Sequence, residues 1–242
     1  MYGPELKVIL LAGGLGTRLS EETEIKPKPM VLVGDKPILL HIMEIYAAQG
    51  HTEFVIAGGY KQDVISEWLT ASHFEASRGW SVALVDTGLD STTGQRIKII
   101  LDLYRDDRYF LTYGDGLANV NLSDLVSAHE RTGALVTLTS VRPPARFGFL
   151  RLSGESIIGF EEKNQLDSGW INGGFFVIEG RIGEAIEDWN SPFEYGALSQ
   201  LAADGNLGAH FHEGFWKPMD TLREKRELEQ LIKSGVPPWL AD

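Results

Sequence analysis

Val8-Ile9-Leu10-Leu11-Ala12-Gly13-Gly14-Leu15-Gly16-Thr17-Arg18-Leu19 is an apolar run that breaks into three glycines and an arginine, with Lys28 following in Lys26-Pro27-Lys28-Pro29. The apolar run reads as a buried strand. Glycines at its end let the backbone turn sharply and bring N–H groups close to an anion, and Arg18 and Lys28 add two full positive charges beside them. The pattern is not a P-loop, because no Gly-Lys pair follows at the required spacing, and it is not the dinucleotide fingerprint, whose third glycine position is Leu19. A bare glycine triplet also serves as a ligand-free turn; the two cations favour a phosphate cradle and a nucleotide-handling enzyme.

Outward from this segment, strand and helix signals alternate. Pro37 to Gln49 places Ile38, Ile42, Ile45 and Tyr46 on one helical face and stops at Gly50, and Phe54 to Ala57 reads as a strand. Asp63 to Leu69 and Ile97 to Tyr104 read as helices, Trp80 to Val85 and Tyr109 to Thr112 as strands, then Ser123 to Arg131 as a helix and Ala134 to Val141 as a strand. This predicts an α/β fold, a Rossmann-like, mostly parallel sheet with helices on both faces. Gly13, Thr87 and Asp115 each fall just after a predicted strand, the edge where open α/β sheets bind ligands. Beyond Ser140 the pattern loosens into short strands, Phe149 to Leu152 and Ile157 to Phe160, expected to form a small β-rich wall over a ligand, before a helix from Leu222 to Lys233 that packs back on the domain.

The chain of 242 residues carries 34 acidic against 22 basic residues, a net charge of −12, so its surface repels nucleic acid and anionic lipid. There is no cysteine, hence no disulfide and no thiolate metal site. No linker, repeat or low-complexity tract divides residues 1–242, which read as one domain. The first apolar run is too short for a signal core or a membrane span, so a cytoplasmic protein is expected. His210 and His212 share a strand face but have no third ligand spaced nearby and do not read as a metal site.

The glycine loop, Lys26-Pro27-Lys28-Pro29-Met30, Gly34-Asp35-Lys36-Pro37-Ile38, Val85-Asp86-Thr87-Gly88, Thr93-Gly94-Gln95-Arg96, Thr112-Tyr113-Gly114-Asp115-Gly116, Ile171-Asn172-Gly173-Gly174-Phe175-Phe176 and Phe215-Trp216-Lys217-Pro218-Met219-Asp220-Thr221 together resemble the sugar-1-phosphate nucleotidylyltransferases over nearly the whole chain. The Thr93 and Phe215 blocks resemble the glucose-1-phosphate cytidylyltransferase branch. The resemblance implies transfer of a nucleotidyl group from a nucleoside triphosphate, CTP foremost, to a sugar 1-phosphate, α-D-glucose 1-phosphate foremost, with Mg²⁺ as cofactor and a homo-oligomeric assembly. The attacking phosphate is already ionised, so this chemistry asks for positioning and charge neutralisation rather than a general base.

By the same resemblance Leu11, Ala12, Gly13, Gly14, Gly16, Thr17 and Arg18 bind the triphosphate, and Lys28 bridges the two substrates. Thr93, Gly94, Arg96 and Gly114 face the nucleoside. Tyr113, Glu162, Lys163, Asn172 and Gly173 hold the sugar phosphate, and Asp115 and Asp220 bind the metal. Arg18, Lys28, Asp115 and Asp220 form the catalytic set. Read alone, either aspartate also suits a turn or a helix N-cap, and Arg96 a helix-start surface position. Trp170, Phe175, Phe176 and Trp216 read as core or pocket wall. Three departures stand out: the stretch from Leu69 to Val82 is short for the branch, Glu162-Lys163-Asn164 stands where Glu-Lys-Pro is usual, and Gln95 occupies the third position of Thr-Gly-Gly-Arg. They leave open another nucleotide or another sugar-like acceptor; a non-catalytic nucleotide-binding subunit is a separate alternative.

Overall fold

A computed structural model of the chain describes residues 5–14, 16, 19–143, 149–161 and 169–240. In chain order the elements are β1 (Lys7–Leu11), α1 (Ser20–Thr23), β2 (Leu32–Val33), β3 (Lys36–Pro37), α2 (Ile38–Ala47), β4 (Glu53–Gly58), α3 (Gln62–Ser72), α4 (Phe74–Arg78), β5 (Ser81–Asp86), α5 (Thr93–Tyr104), β6 (Arg108–Tyr113) and β7 (Gly116–Ala118). They continue with α6 (Leu122–Thr132), β8 (Val136–Val141), β9 (Phe149–Ser153), β10 (Ser156–Glu161), β11 (Ile171–Glu179), α7 (Ile182–Ala185), α8 (Ala197–Ala203), β12 (Leu207–His212), β13 (Trp216–Pro218) and α9 (Leu222–Lys233).

Seven strands form one sheet in the order β12-β8-β11-β6-β1-β4-β5. All neighbours run parallel except β11, which is antiparallel to both β6 and β8. Both faces are covered, which is why the strands are apolar without alternation. Val8, Leu10, Phe54, Ile56 and Phe110 pack on one side with α2, and Ile9, Leu11, Val55, Ala57 and Leu111 on the other with α5. The predicted mostly parallel sheet with helices on both faces is the observed one. The loosened region beyond Ser140 contains a separate antiparallel hairpin, β9 with β10, and the long strand β11.

The chain runs outward from β1 through β4 to β5, then returns past β1 to β6 on its other side. That reversal opens a crevice beyond the carboxyl ends of β1, β4 and β6. Gly13 and Gly14 leave β1 there, Gly59 leaves β4, Thr87 leaves β5, and Gly114 and Asp115 leave β6. At the opposite edge a cavity of about 590 Å³ is lined by Lys98, Asp102, Arg105, Asp106, Glu179 and Glu184 among others. Its excess of acids does not suit an anionic nucleotide.

α5 starts at Thr93 rather than Ile97, because Thr92 and Gln95 form a capping box: Gln95 N–H donates to Thr92 Oγ1 (3.2 Å) and Thr92 N–H to Gln95 Oε1 (2.9 Å). Gln95 Nε2 also donates to Asn190 Oδ1 (3.1 Å). Gln95, unusual for the motif, is therefore occupied in capping a helix.

Three imidazoles are nearly inaccessible, His41, His51 and His129. Burial pulls each below its ordinary value near 6.5. His51 Nδ1 accepts Leu6 N–H (3.1 Å), and His41 Nε2 donates to the Val33 carbonyl (2.9 Å) while its Nδ1 is buried without a partner among the described residues. A second proton would break the first contact and strand a donor in the second. With the folded values depressed, the unfolded chain binds more protons below 6.5, so stability falls as pH drops through that value. The urea midpoint is expected to decline measurably from about pH 7.5 to about pH 5.5, and a flat profile over that window would contradict the neutral, buried state of these rings.

Candidate active site

The crevice is organised around Lys28. Its segment, Lys28 to Met30, is a buried 3-10 turn preceded by Pro27, and it directs the side chain into the gap between the ends of β6 and β13. Lys28 Nζ donates to Asp115 Oδ2 and to Asp220 Oδ1, each at 2.6 Å. The lysine is almost fully covered, its carboxylate partners less so. Burial alone would lower the ammonium's pKa; the Asp115 charge and the hydrogen bonds to Asp115 and Asp220 outweigh it, and the net direction is up. The group is thus firmly charged at neutral pH.

Two backbone devices bring the distant aspartates together. β7 and β13 pair antiparallel, with Gly116 opposite Pro218, and the Met219 N–H donates to the Asp115 carbonyl (2.8 Å). Asp220 stands before the capping box of α9, where Thr221 Oγ1 accepts Glu224 N–H and the Glu224 carboxylate accepts the N–H groups of Asp220 and Thr221. Gly114 is needed because a β-carbon there would lie 2.8 Å from the Leu11 carbonyl and from Pro29.

Beneath the glycine turn lies Arg96, only 3% exposed. Its Nη1 donates to Gly58 O (2.7 Å), Thr87 Oγ1 (2.6 Å) and Gly88 O (2.8 Å), and its Nη2 to Gly13 O (3.0 Å) and Leu89 O (3.2 Å). One guanidinium therefore ties together the loops after β1, β4 and β5. It also excludes side chains at Gly13 and Gly59, where a β-carbon would approach it to 2.3 and 2.5 Å. Because a trans peptide points its N–H opposite to its C=O, fixing Gly13 O inward turns the Gly14 N–H outward, into space that is open around Gly14. Arg96, expected at the nucleoside, thus has its guanidinium turned into the protein.

Arg96→Met would leave the Gly88 and Leu89 carbonyls without that donor, a loss of about 3 kcal/mol for a buried charged hydrogen-bonding group. Thermal unfolding is expected to show a Tm lower by about 6–12 °C in a chain of this size. Arg96→Lys should recover little of it, since a single ammonium cannot span acceptors spread over three loops. A Tm within about 2 °C of wild type would show that the loops hold without the cation.

Of the other expected site residues, Gly94 is required by packing: its β-carbon would sit 2.5 Å from the Ser191 carbonyl. Gly16 has φ +64°, and its carbonyl accepts Leu19 N–H and Thr23 Oγ1–H. Asn172 and Gly173 sit where β11 bulges, with Gly174 at φ +76° and the buried Phe175 at φ +50°, a conformation rare for an aromatic residue. The bulge aims Asn172 at Tyr113: Asn172 Nδ2 donates to Tyr113 Oη (3.1 Å). Trp216 is half-buried against the core with its indole N–H donating to Gly173 O (2.7 Å), while Phe175 and Phe176 are core. Thr17, Arg18, Glu162 and Lys163, together with Leu15 and Asn164, lie outside the described residues.

One residue near this site was not anticipated. Glu194 accepts Tyr113 Oη–H (2.7 Å) and Thr93 Oγ1–H (2.8 Å). It lies in an irregular stretch, Asn190-Ser191-Pro192-Phe193-Glu194, that offers no periodicity to mark it.

Residues 7–221 match the nucleotidyl transferase family. The chain belongs to that family. This nucleotidyl transferase is 43% identical over 253 aligned positions to a glucose-1-phosphate cytidylyltransferase of Salmonella typhi, covering 97% of this chain and 98% of the relative. It is 37% identical to a probable glucose-1-phosphate cytidylyltransferase of Bacillus subtilis, covering 97% and 99%. The first alignment is longer than the 242 residues of this chain, so the relative carries positions the transferase lacks. Among solved structures, a putative glucose-1-phosphate thymidylyltransferase from Bacillus anthracis shares the fold with a TM-score of 0.71 at 21% identity, covering 96% of each chain. No helix among the described residues is long and apolar enough to cross a membrane.

Proposed function

We propose that the transferase joins α-D-glucose 1-phosphate to the cytidylyl group of CTP, giving CDP-glucose and pyrophosphate. The identity to the cytidylyltransferases over nearly the whole chain supports the substrate pair, and the meeting of Lys28, Asp115 and Asp220 at the crevice supports the chemistry. A phosphate oxygen of the sugar phosphate attacks the α-phosphorus, the bond from that phosphorus to the bridging oxygen breaks, and pyrophosphate leaves with the electron pair. Lys28 is set to neutralise charge as it passes between the reactants. The turned-out N–H of Gly14 faces the triphosphate, and Thr17 and Arg18 complete that cradle by resemblance. Asn172, Gly173 and Tyr113 receive the sugar, with Glu162 and Lys163 by resemblance.

The residues present suit Mg²⁺. Two hard carboxylates from distant segments converge on one cationic point, and no cluster of three or more acidic, histidine or cysteine ligands exists among the described residues. Such a pair leaves most of an octahedral shell to water and substrate oxygens, the arrangement Mg²⁺ favours. When bound by Asp115 and Asp220, the ion would supply further neutralisation of phosphate charge.

The deciding experiment offers Mg²⁺, glucose 1-phosphate and, in turn, CTP, UTP, dTTP, ATP or GTP, and then CTP with other sugar phosphates, reading pyrophosphate. CTP with glucose 1-phosphate is expected to give the highest kcat/KM. A different preferred pair would reassign the substrates; nucleotide binding without pyrophosphate from any pair would mark a regulatory subunit.

A further inference from the structure

Glu194 closes a hydrogen-bond chain that crosses the acceptor side of the crevice. From one end, Phe193 N–H donates to Thr93 Oγ1 (2.8 Å), Thr93 Oγ1–H to Glu194 Oε2 (2.8 Å), and Tyr113 Oη–H to Glu194 Oε1 (2.7 Å). From the other, Asn172 Nδ2 donates to Tyr113 Oη (3.1 Å), and Gly174 N–H donates to Asn172 Oδ1 (2.9 Å). Four separate elements are linked in this way: the start of α5, the 187–196 connection, the end of β6 and the bulge of β11.

The direction of every proton in the chain follows from the carboxylate. An ionised carboxylate only accepts, so both hydroxyls must spend their hydrogen on it. Tyr113 Oη then has only lone pairs to offer elsewhere and can receive the Asn172 amide only through its NH₂. That orientation is reinforced at Gly174, whose N–H requires the Asn172 oxygen. Burial and the Glu194 charge both raise the Tyr113 hydroxyl well above its ordinary value, so it remains a donor. Asn172 is left with one amide hydrogen that has no acceptor among the described residues, available to an oxygen of the sugar.

We propose that Glu194 is a positioning residue for the sugar 1-phosphate: it acts through Tyr113 to hold Asn172 with an amide hydrogen presented to a sugar hydroxyl oxygen. This rests on the reading of the crevice as the sugar-phosphate site. Glutamine at 194 has the same shape but one accepting oxygen, so one of the two hydroxyls loses its acceptor and the chain loses its fixed sense.

The test is steady-state kinetics of Glu194→Gln, with Tyr113→Phe as a second cut in the same chain should the first variant fold poorly. Each is expected to raise KM for glucose 1-phosphate roughly tenfold, the loss of about one charge-linked hydrogen bond, with a smaller rise in KM for CTP that in Tyr113→Phe, which leaves the Thr93–Glu194 bond intact, stays below about twofold. In an Asn172→Ala background, Glu194→Gln is expected to add less than about twofold, because its effect passes through the missing amide. An unchanged sugar KM in both single variants, an equal rise in both KM values, or full additivity with Asn172→Ala would each overturn the proposal. A wild-type protein that releases no pyrophosphate with any substrate pair overturns the site reading together with it; an active wild type with unaltered variants overturns the proposal alone.

Discussion

Lys28→Met is expected to lower turnover by about two to three orders of magnitude, the size of effect seen when a preorganised charge-stabilising group is removed. The ammonium sits 2.6 Å from each of two carboxylates and is nearly buried, so no water-borne cation readily replaces it in position or charge. Methionine keeps the length and apolar packing of the stem, which limits damage to the turn at residues 28–30. The substitution has an opposite effect on metal binding. It removes one positive charge from between Asp115 and Asp220, and two facing carboxylates without a counterion attract a dication more strongly. Mg²⁺ affinity in the absence of nucleotide, measured calorimetrically, is therefore expected to rise by about tenfold while catalysis falls. Turnover near wild type, or Mg²⁺ affinity that falls, would remove Lys28 from the centre of the chemistry.

Asp115→Asn and Asp220→Asn are each expected to cost at least about a hundredfold in kcat, again on the scale of a lost electrostatic stabiliser. Asparagine preserves the shape and one acceptor oxygen but halves the negative charge at the point where the two groups meet, and it removes the ligand charge a divalent ion needs. Folding should survive both changes. Asp115 is held through its backbone carbonyl and Asp220 through its backbone N–H, neither of which depends on the carboxylate. Thermal melting alongside pyrophosphate kinetics separates the two contributions: a Tm within a few degrees with kcat reduced by about two orders supports the assignment. A near-normal rate in either variant would remove that carboxylate from the proposed metal site.

Much of the fold was legible because a parallel sheet buried on both faces demands unbroken apolar strands, and Val8 to Leu11, Phe54 to Ala57 and Tyr109 to Leu111 show them plainly. Glycines after β1 and β6 likewise marked the crevice. The start of α5 was less visible, since Thr93-Gly94-Gln95 reads as a turn until Thr92 and Gln95 are seen to cap each other. The meeting of Lys28 with Asp220 joins residues separated by 192 positions, and no local pattern encodes it; the resemblance alone suggested it. Arg96 shows the reverse problem. The resemblance sets this guanidinium at the nucleoside, yet here four carbonyls from three loops, together with the Thr87 hydroxyl, accept its hydrogen bonds. Whether an arginine faces ligand or protein depends on where those loops fold back, which lies beyond sequence spacing. Glu194 was illegible for the same reason, its partners Thr93 and Tyr113 lying on two other elements.

The clasp between β7 and β13 also carries a consequence for timing during synthesis. A ribosome-bound chain not yet extended through Asp220 already contains the glycine turn, Lys28 and Asp115, but only half of the carboxylate pair. On the proposed function, nascent protein can therefore begin to fold its sheet while remaining chemically silent, and competence arrives only as β13 and α9 emerge and close over the scaffold.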